Sequence, residues 1–506
     1  HSNTLGMNNS IGLKGTSKNF FGGFRFGNQT HADYLQGGGD YVPNSRFNEM
    51  TFKANAGYTG KIGTFKLFYD YFKQNLGMSV PDVKPLITER GRKNEIWFQD
   101  LEHQLLSSQN SLYLGKFKWN INVAYQNALR KLQTTLDVPF VEMNLNTITY
   151  ESKLYLPSND KSEYIIGLQG MSQNNRNLNN RASQFLPNAN INNMGFLGLA
   201  QYTFFKKLKL QGGLRFDLYK TETFALGIEG TSSYHAPVNK EFSSLNGSIG
   251  TTYNVNKKLM FRSNFAKGYR VPNLSELTSN GMHGNRYEIG NENLSPENSF
   301  ETDLSMHYHG EFLSFDLAGF YNQINDYIFI SPTTDTTPTG VGIYRFSQTN
   351  AKLYGGETGL HFHPKSLPWL HIEGTYSLVI GKQENGNYLP FIPAQKFRYE
   401  IRAEREKIGF LKKPSIKLSA LTALKQNNPS PYETATDGYT LVNISVYSEI
   451  LISNQALIFG LSVNNLFDTQ YLDHLSTLKS LNYYNQGRNI SLSLKIPFRI
   501  KSSSKI

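Results

Sequence analysis

The chain has 506 residues, with 51 Lys and Arg against 39 Asp and Glu, a formal net charge of +12 at pH 7 and no cysteine. The lack of cysteine excludes disulfides, thiolate metal sites and cysteine nucleophiles, so a metal site would need His, Asp, Glu or Met ligands. Mean hydropathy is −0.45, and the longest apolar run, Ala456–Val463, is much shorter than the ~20 residues of a membrane-spanning helix.

From Leu5 onward, apolar and polar residues alternate in short segments bounded by turn residues, which is the pattern of β-strands. About 21 such segments follow one another, from Leu5–Lys14 to Asn489–Phe498. Because successive side chains of a strand point to opposite faces, each segment has one apolar and one polar face. In the final segment the apolar face consists of Ile490, Leu492, Leu494, Ile496 and Phe498, and the polar face of Ser491, Ser493 and Lys495.

Short and long connections alternate between these segments. The predicted tight turns are Thr16–Asn19, Lys61–Gly63, Lys206–Lys207, Asn256–Lys257, Gly310–Glu311 and Lys412–Lys413. The long polar connections are Gln36–Arg46, Ser79–Asp100, Glu222–Lys240, Asn273–Asn298, Ile330–Asn350 and Asn427–Asp437. Short turns on one rim and long loops on the other are typical of transmembrane β-barrels, in which the short turns face the periplasm.

Composition supports the same fold class. The chain contains 34 Phe, 30 Tyr and 43 Gly, and membrane barrels carry aromatic girdles at both interfaces. We predict an all-β chain that forms one transmembrane antiparallel β-barrel over residues 1–498, followed by a short basic tail at 499–506. A soluble β-sandwich or propeller is the alternative, although it would not show the two-rim rhythm. The basic residues are scattered and form no nucleic-acid-binding motif, so no nucleic-acid partner is expected.

Four motifs occur in order in the second half of the chain. They are GYRVPNLSEL from Gly268, TSNGMHGNRYEIGNENLSPENS up to Ser299, NNLFDTQYLD from Asn464 and GRNISLSLKIPF from Gly487. These stretches resemble TonB-dependent outer-membrane receptors. The resemblance covers essentially the whole chain and implies location in the Gram-negative outer membrane. It also implies energised uptake of a scarce nutrient, driven by an inner-membrane motor that pulls on an N-terminal plug inside a 22-stranded barrel.

The sequence departs from that family pattern in three respects. No plug domain and no motor-binding box precede the barrel, about 21 strands are present rather than 22, and Arg499–Ile506 extends beyond Phe498, where the family usually ends. Strand directions place the missing strand first. An unpaired strand edge is not tolerated in lipid, so the chain is expected to be the C-terminal part of a longer receptor.

The segment GMHGNRYEIGNENL indicates the cargo. A histidine followed by the N-x-N-L box resembles haem receptors and the zinc-uptake branch, and the longer match resembles the zinc branch more closely. Imidazole is a good ligand for Zn²⁺ and for haem iron. We therefore predict a substrate site at His283, with Arg286 nearby and with Glu276 or Glu288 and plug residues completing it. The alternative is that this loop is a packing element in which His283 caps a turn.

Five further histidines lie near the ends of three predicted strands. His307 and His309 form one pair with i, i+2 spacing, His361 and His363 form a second, and His371 begins the next strand. The spacing places each pair on one face, and strand parity turns all five towards the lumen near the periplasmic rim. We predict a transient metal site for a cation that leaves the barrel. The alternative is hydrogen bonding to the plug or to solvent.

These observations predict TonB-dependent uptake of a metal ion, zinc foremost, or of a metal complex. A siderophore, haem or cobalamin receptor is the alternative within the family, and a passive porin is the alternative outside it. No nucleophile–base pair stands out, so the chain is not expected to be an enzyme or to hold an intrinsic cofactor. The expected partners are a TonB-type energising complex and outer-membrane lipid, with a surface lipoprotein left open.

Overall fold

The structure, a computed structural model, describes residues 1–135, 138–178, 184–284, 286–453 and 455–499. In these ranges, 24 strands belong to one sheet, and neighbouring strands are antiparallel with one short exception. None of the helices in the same ranges has the length and apolar character needed to cross a membrane.

The first twelve strands pair one after another along the chain. They are β1 (Met7–Ser17), β2 (Phe20–His31), β3 (Phe47–Gly60), β4 (Gly63–Gly77), β5 (Phe98–Leu114), β6 (Phe117–Gln133), β7 (Val141–Tyr155), β8 (Ser162–Asn177), β9 (Ala189–Phe204), β10 (Leu208–Thr223), β11 (Asn239–Asn254) and β12 (Leu259–Arg270). A 3-10 helix at Pro81–Val83 lies between β4 and β5.

The second half begins with a folded loop and then returns to the sheet. The elements are α1 (Leu274–Thr278), β13 (Asn280–His283), β14 (Arg286–Ile289), β15 (Glu297–His309), β16 (Leu313–Thr336), β17 (Gly342–Phe362), β18 (Leu370–Gln383), β19 (Lys396–Glu404), β20 (Lys407–Ile408), β21 (Leu411–Ala423), β22 (Tyr439–Ile452), β23 (Gln455–Asn464), a 3-10 helix at Lys479–Leu481 and β24 (Asn489–Lys495). Since β12 pairs with β15 and β19 with β21, the short strands β13, β14 and β20 lie outside the main succession. The remaining 21 strands equal the number that the alternation predicts.

The alternation of short and long connections is present, but two predicted connections are wrong. Ile330–Asn350 was expected to be a loop, whereas β16 and β17 continue through it as a hairpin that turns at 337–341. Its β-branched and aromatic residues favour strands, and the two strands satisfy each other's backbone groups. Lys412–Lys413 was expected to be a turn but lies in β21. The chain reverses at Gly409, whose φ of 58° suits glycine better than lysine.

The two faces of the sheet differ in polarity as predicted. Leu214, Leu304 and Leu492 are 65%, 63% and 79% exposed on the apolar face. On the opposite face, the side-chain amide of Asn264 donates to Asp303 at 3.3 Å across neighbouring strands. Polar side chains therefore satisfy one another on the inner face, while the apolar face is open to its surroundings.

A small hydrophobic core lies among the long loops instead of under the sheet. It consists of buried Leu277, Leu294 and Ile328, with Phe346 packed against them. The first two belong to the loop that contains α1, and the other two to the extended β16–β17 hairpin. This core consequently packs the α1 loop against the β16–β17 hairpin.

The first and last parts of the sheet meet at the long-loop rim. The backbone N–H of Ser2 donates to the carbonyl of Ile490 at 2.8 Å, and that of Asn3 to the side chain of Asn489 at 3.1 Å. Within the described ranges, β1 pairs with β2 and β24 with β23, and no ladder joins β1 to β24. β24 ends at Lys495, three residues before the predicted end at Phe498. Most of the predicted basic tail, residues 500–506, lies outside the described residues.

Candidate ligand-binding site

The loop 271–296 is folded by a short helix with a complete N-cap. The side chain of Asn273 accepts from the backbone N–H of Glu276 at 2.9 Å, and the Glu276 carboxylate accepts from the N–H of Asn273 at 2.8 Å. This reciprocal capping box satisfies two backbone donors at the start of α1. It fixes the direction in which the chain enters the loop.

Arg270 anchors the same loop to the rim. Its Nη1 donates to both carboxylate oxygens of Glu276 at 2.9 and 2.8 Å, and its Nη2 donates to Glu297 at 2.6 Å. Glu297 also accepts from the backbone N–H of Ile328 at 2.7 Å. Both carboxylates are buried, and the Glu276 carboxylate is occupied by Arg270 and by the N-cap of α1.

A buried histidine ties the helix to two other loops. The ring nitrogens of His235 lie 3.0 Å from the carbonyl oxygen of Thr278 and 2.7 Å from that of Gln184. Sequence reasoning missed His235 because its partners are 43 and 51 residues away. No local pattern could have revealed this contact.

The structure brings together His283, Arg286 and Glu288 on the hairpin β13–β14. Nδ1 of His283 lies 3.0 Å from Oε1 of Glu288. Arg286 donates to the same oxygen from Nε at 2.7 Å, and its Nη2 lies 2.6 Å from that oxygen in an ion pair. The carboxylate side chain is 2% exposed, whereas the imidazole is 55% exposed. Burial by itself raises the pKa of Glu288, but the hydrogen bonds and charges of His283 and Arg286 outweigh it and hold the pKa below its ordinary value.

The ionised carboxylate defines the tautomer of His283. Because a carboxylate only accepts, the proton of a neutral imidazole must be on Nδ1, and Nε2 carries the lone pair. Among the described residues, no hydrogen-bond partner contacts Nε2. Metal-binding histidines commonly have this arrangement, in which the second nitrogen donates to a carboxylate.

Two aromatic rings contact the group. The ring of Phe185 lies 5.0 Å from that of His283, and the guanidinium of Arg286 lies 5.0 Å from the centre of the Tyr344 ring. Tyr344 belongs to β17, with which β14 pairs in parallel. The imidazole is thus held by a carboxylate that Arg286 also contacts, on a hairpin that is itself joined to the sheet.

The other predicted histidines share the polar face near the short turns. His309 is opposite Ser314, which is opposite His361, so the three occupy one row across β15, β16 and β17. Nδ1 of His309 lies 2.7 Å from the Ser314 hydroxyl, and His307 contacts Asp316. These two histidines are therefore hydrogen-bonded to β16.

His361, His363 and His371 form a cluster on β17 and β18. Their ring centres are 5.0, 5.4 and 6.1 Å apart, and Nε2 of His361 lies 3.1 Å from Nδ1 of His371. Glu373 lies 3.8 Å from His361, and Glu404 lies 3.4 Å from His371. Across the described ranges, no three His, Asp or Glu side chains are arranged to hold a metal ion.

A polar cavity on the inner face was not predicted. Glu151, Gln169 and Arg215 line this cavity of about 350 Å³. The Arg215 Nε donates to Asp217 at 2.7 Å, and Gly195 leaves room for this pair, since a Cβ there would lie 2.3 Å from Arg215. Strand parity places such residues inside, but only the pairing of β7 to β10 brings them together.

An exposed apolar outer face, a polar inner face and long loops on one rim define a protein of the outer-membrane barrel class. The sequence model described as "TonB dependent receptor-like, beta-barrel" matches residues 2–466. The chain therefore belongs to the β-barrel family of TonB-dependent receptors. Its members are outer-membrane proteins of Gram-negative bacteria and are receptors and transporters instead of enzymes.

Individual relatives are distant. The vitamin B12 transporter BtuB of Vibrio vulnificus (strain YJ016) is 22% identical over 440 residues, which make up 82% of this chain and 66% of that protein, just under two thirds. The copper transporter OprC has a TM-score of 0.76 at 15% identity, covering 96% of this chain and 78% of OprC. The FrpB iron transporter from Neisseria meningitidis (F3-3 variant) has a TM-score of 0.75 at 16% identity, covering 97% and 79%. These structures establish similarity of fold.

Proposed function

We propose that this receptor takes up a metal complex across the outer membrane and that His283 ligates the metal through Nε2. The observation that carries the proposal is the His283–Glu288 pair, in which a buried carboxylate orients a half-exposed imidazole. The pair lies on the loop rim, which faces the exterior in barrels of this class. Relatives named as transporters of vitamin B12, iron and copper point to the same class of cargo.

A complex suits this site better than a bare ion. A protein zinc site uses three or four side-chain ligands, whereas the described residues offer His283 as the one oriented ligand here. A metal held by its own chelator, as in haem or a siderophore, needs only one further ligand from the protein. Zn²⁺ remains the alternative cargo because the GMHGNRYEIGNENL segment resembles the zinc-uptake branch, and it would require ligands from other parts of the receptor.

In this proposal Glu288 and Arg286 do not ligate the metal but support the histidine that does. Glu288 is too buried to bind the cargo and instead positions His283. Arg286 keeps Glu288 ionised, and its guanidinium, which lies against Tyr344, provides positive charge beside an anionic chelator. Glu276 supports the loop through Arg270.

The histidines on the polar face near the short turns are proposed to be weak contacts along the path by which the cargo leaves the barrel. His307, His309 and His361 are hydrogen-bonded to neighbouring side chains, and His363 packs against the ring of His361, so a passing metal would have to displace those contacts. Energy would come from a TonB-type complex acting through a plug, and a surface lipoprotein would deliver cargo if one exists.

Binding to the purified full-length receptor tests the proposal. Haemin is followed by its Soret band and zinc by metal analysis, first with the native receptor and then with His283→Ala, Glu288→Gln and His309→Ala. Loss of an orienting carboxylate typically weakens metal binding about 10- to 100-fold, so both site variants should bind one metal complex more weakly, with His309→Ala unchanged. Unaltered binding of every complex by His283→Ala would refute the role of this residue.

Uptake in cells separates a receptor from a porin. Accumulation of the bound complex should stop when the inner-membrane motor is deleted or the proton gradient is collapsed. Accumulation that continues unchanged without the motor would instead identify a passive pore. A receptor that binds zinc alone, and loses it in His283→Ala, would establish the alternative cargo.

A further inference from the structure

The short-turn rim carries a row of lysines. Each of the first six short connections contains at least one lysine, and the fifth and sixth contain two. We call one lysine from each connection, taken together, the lysine collar: Lys18, Lys61, Lys116, Lys161, Lys206 and Lys257. All six side chains are exposed. The same six connections contain a single acidic residue, Asp160. The rim is therefore strongly positive along more than half of the sheet.

The collar charges are not neutralised by the protein. Within the described ranges, no collar lysine forms an ion pair, whereas lysines on the long-loop rim do, as Lys93 with Glu95 at 2.9 Å and Lys425 with Asp437 at 3.4 Å. Successive collar positions are two strands apart, which corresponds to about 10 Å along the rim. This spacing is close to the Debye length at physiological ionic strength, about 8 Å, so neighbouring charges reinforce one local field.

Apolar side chains accompany the lysines. Phe20, Ile62, Phe117 and Phe205 are 63%, 65%, 40% and 91% exposed and lie within two residues of a collar lysine in sequence. Aromatic and aliphatic side chains at a membrane interface enter the acyl boundary, while neighbouring lysines extend to the headgroups. An aromatic girdle is expected of any membrane barrel, but a continuous row of unpaired lysines next to it is not required by the fold.

We propose that the lysine collar binds anionic phospholipid headgroups of the leaflet on the short-turn side. The ammonium groups face the phosphates while Phe20, Ile62, Phe117 and Phe205 fix the depth of the rim in the bilayer. Basic residues next to a membrane attract anionic lipids, and this attraction declines as salt screens it. The receptor would thereby gather anionic lipids around half of its circumference, independently of the cargo that it carries.

Lipid selectivity can be measured with tryptophan as the reporter. Trp119 lies on β6 three residues beyond Lys116, and brominated lipids quench its fluorescence on contact. The other two tryptophans of the chain, Trp97 and Trp369, are replaced by phenylalanine in every receptor compared, so that the signal comes from Trp119. The full-length receptor is reconstituted in vesicles of phosphatidylcholine mixed with phosphatidylglycerol, with bromine on one lipid and then on the other. The ratio of quenching gives the preference of the rim for the anionic lipid.

We expect phosphatidylglycerol to be preferred roughly threefold to fivefold at low salt, since one basic residue near such a surface contributes about a factor of five. The preference should fall towards unity in concentrated sodium chloride. It should also be lost in a triple variant with Lys61→Gln, Lys116→Gln and Lys161→Gln.

A matched triple variant on the long-loop rim, with Lys84→Gln, Lys240→Gln and Lys425→Gln, should retain the preference. Thermal unfolding of each variant checks that the barrel is intact. Equal quenching by the two lipids in the native receptor would overturn the proposal, and so would a preference that survives in the collar variant. A loss of equal size in both triple variants would attribute the preference to net charge and would likewise overturn it.

Discussion

Replacing Arg270 by alanine should release the loop that carries His283 without unfolding the barrel. The change removes three hydrogen bonds of 2.9, 2.8 and 2.6 Å to two buried carboxylates. Removing one partner of a buried ion pair costs about 3–5 kcal/mol. The Arg270 side chain is 41% exposed, so solvent screens part of this energy and about 2–3 kcal/mol is expected.

Each 1.4 kcal/mol changes an equilibrium constant tenfold, so the population of the open loop should rise roughly 30- to 140-fold. Hydrogen exchange of the backbone amides at 273–294 measures this directly, because Glu276, Leu277 and Leu294 donate backbone hydrogen bonds within the loop. Exchange in β5 to β8 should not change, since the hydrogen bonds that Arg270 makes go to α1 and to the start of β15. Binding of the cargo should weaken in parallel with loop opening.

Arg262→Ala is the matched control. Arg262 lies on the same strand, is exposed and forms no ion pair within the described ranges. If Arg270→Ala leaves exchange at 273–294 within a factor of two of the native value, the clamp does not stabilise the loop and the reasoning is refuted.

Three further predictions concern the site, the membrane face and the N-terminal loops. Because the pKa of Glu288 is lowered in the fold, its stabilising effect is complete above its unfolded pKa of about 4.3 and is lost as the pH falls below that value. Hydrogen exchange at 280–289, corrected for intrinsic rates, should therefore rise in acid. Leu304→Arg should destabilise the receptor in vesicles by about 2–4 kcal/mol, measured by urea unfolding. Asp33→Asn should raise proteolysis of the 78–97 loop, because it leaves the buried Arg46 without its carboxylate partner, at a cost of about 3–5 kcal/mol.

Each of these predictions has a control. Glu288→Gln should abolish the acid-dependent change in exchange, and persistence of that change would assign it to another group. Ser305→Arg, on the polar face beside Leu304, should be tolerated. If both arginine variants are equally unstable, the assignment of the faces is wrong. Asp40→Asn changes an exposed carboxylate in the loop between β2 and β3, which also contains Asp33, and it should leave proteolysis of the 78–97 loop unchanged.

Strand content was predictable because side-chain alternation is a local property. A strand repeats every two residues, so Phe300–His309 or Asn489–Phe498 reveals both faces without knowledge of any neighbour. The two wrong connections have the same origin, because polar composition is typical of loops but also occurs in paired strands. In Ile330–Asn350 the polar residues belong to strands that pair with each other above the rim, and composition cannot report that pairing.

The role of Glu276 could have been recognised from sequence. Asn273 followed three residues later by Glu276 is a capping pattern, and this reading competes with a ligand role. The role of Glu288 could not be recognised in this way, because its burial and its contact with His283 depend on the hairpin β13–β14 and on the parallel pairing with β17. No spacing rule distinguishes a carboxylate that binds cargo from one that orients a histidine.

Sequence alone predicts most of the strands, their two faces, the two-rim order of most turns and loops, and the family. These properties depend on neighbours along the chain or on short motifs. Only the folded structure shows which side chains meet: His283 with Glu288, Arg270 with two buried carboxylates, and His235 with two distant carbonyls. Such contacts depend on how a long sheet brings residues together that are far apart in the chain, and pairing across the sheet, unlike alternation along a strand, is not a local property.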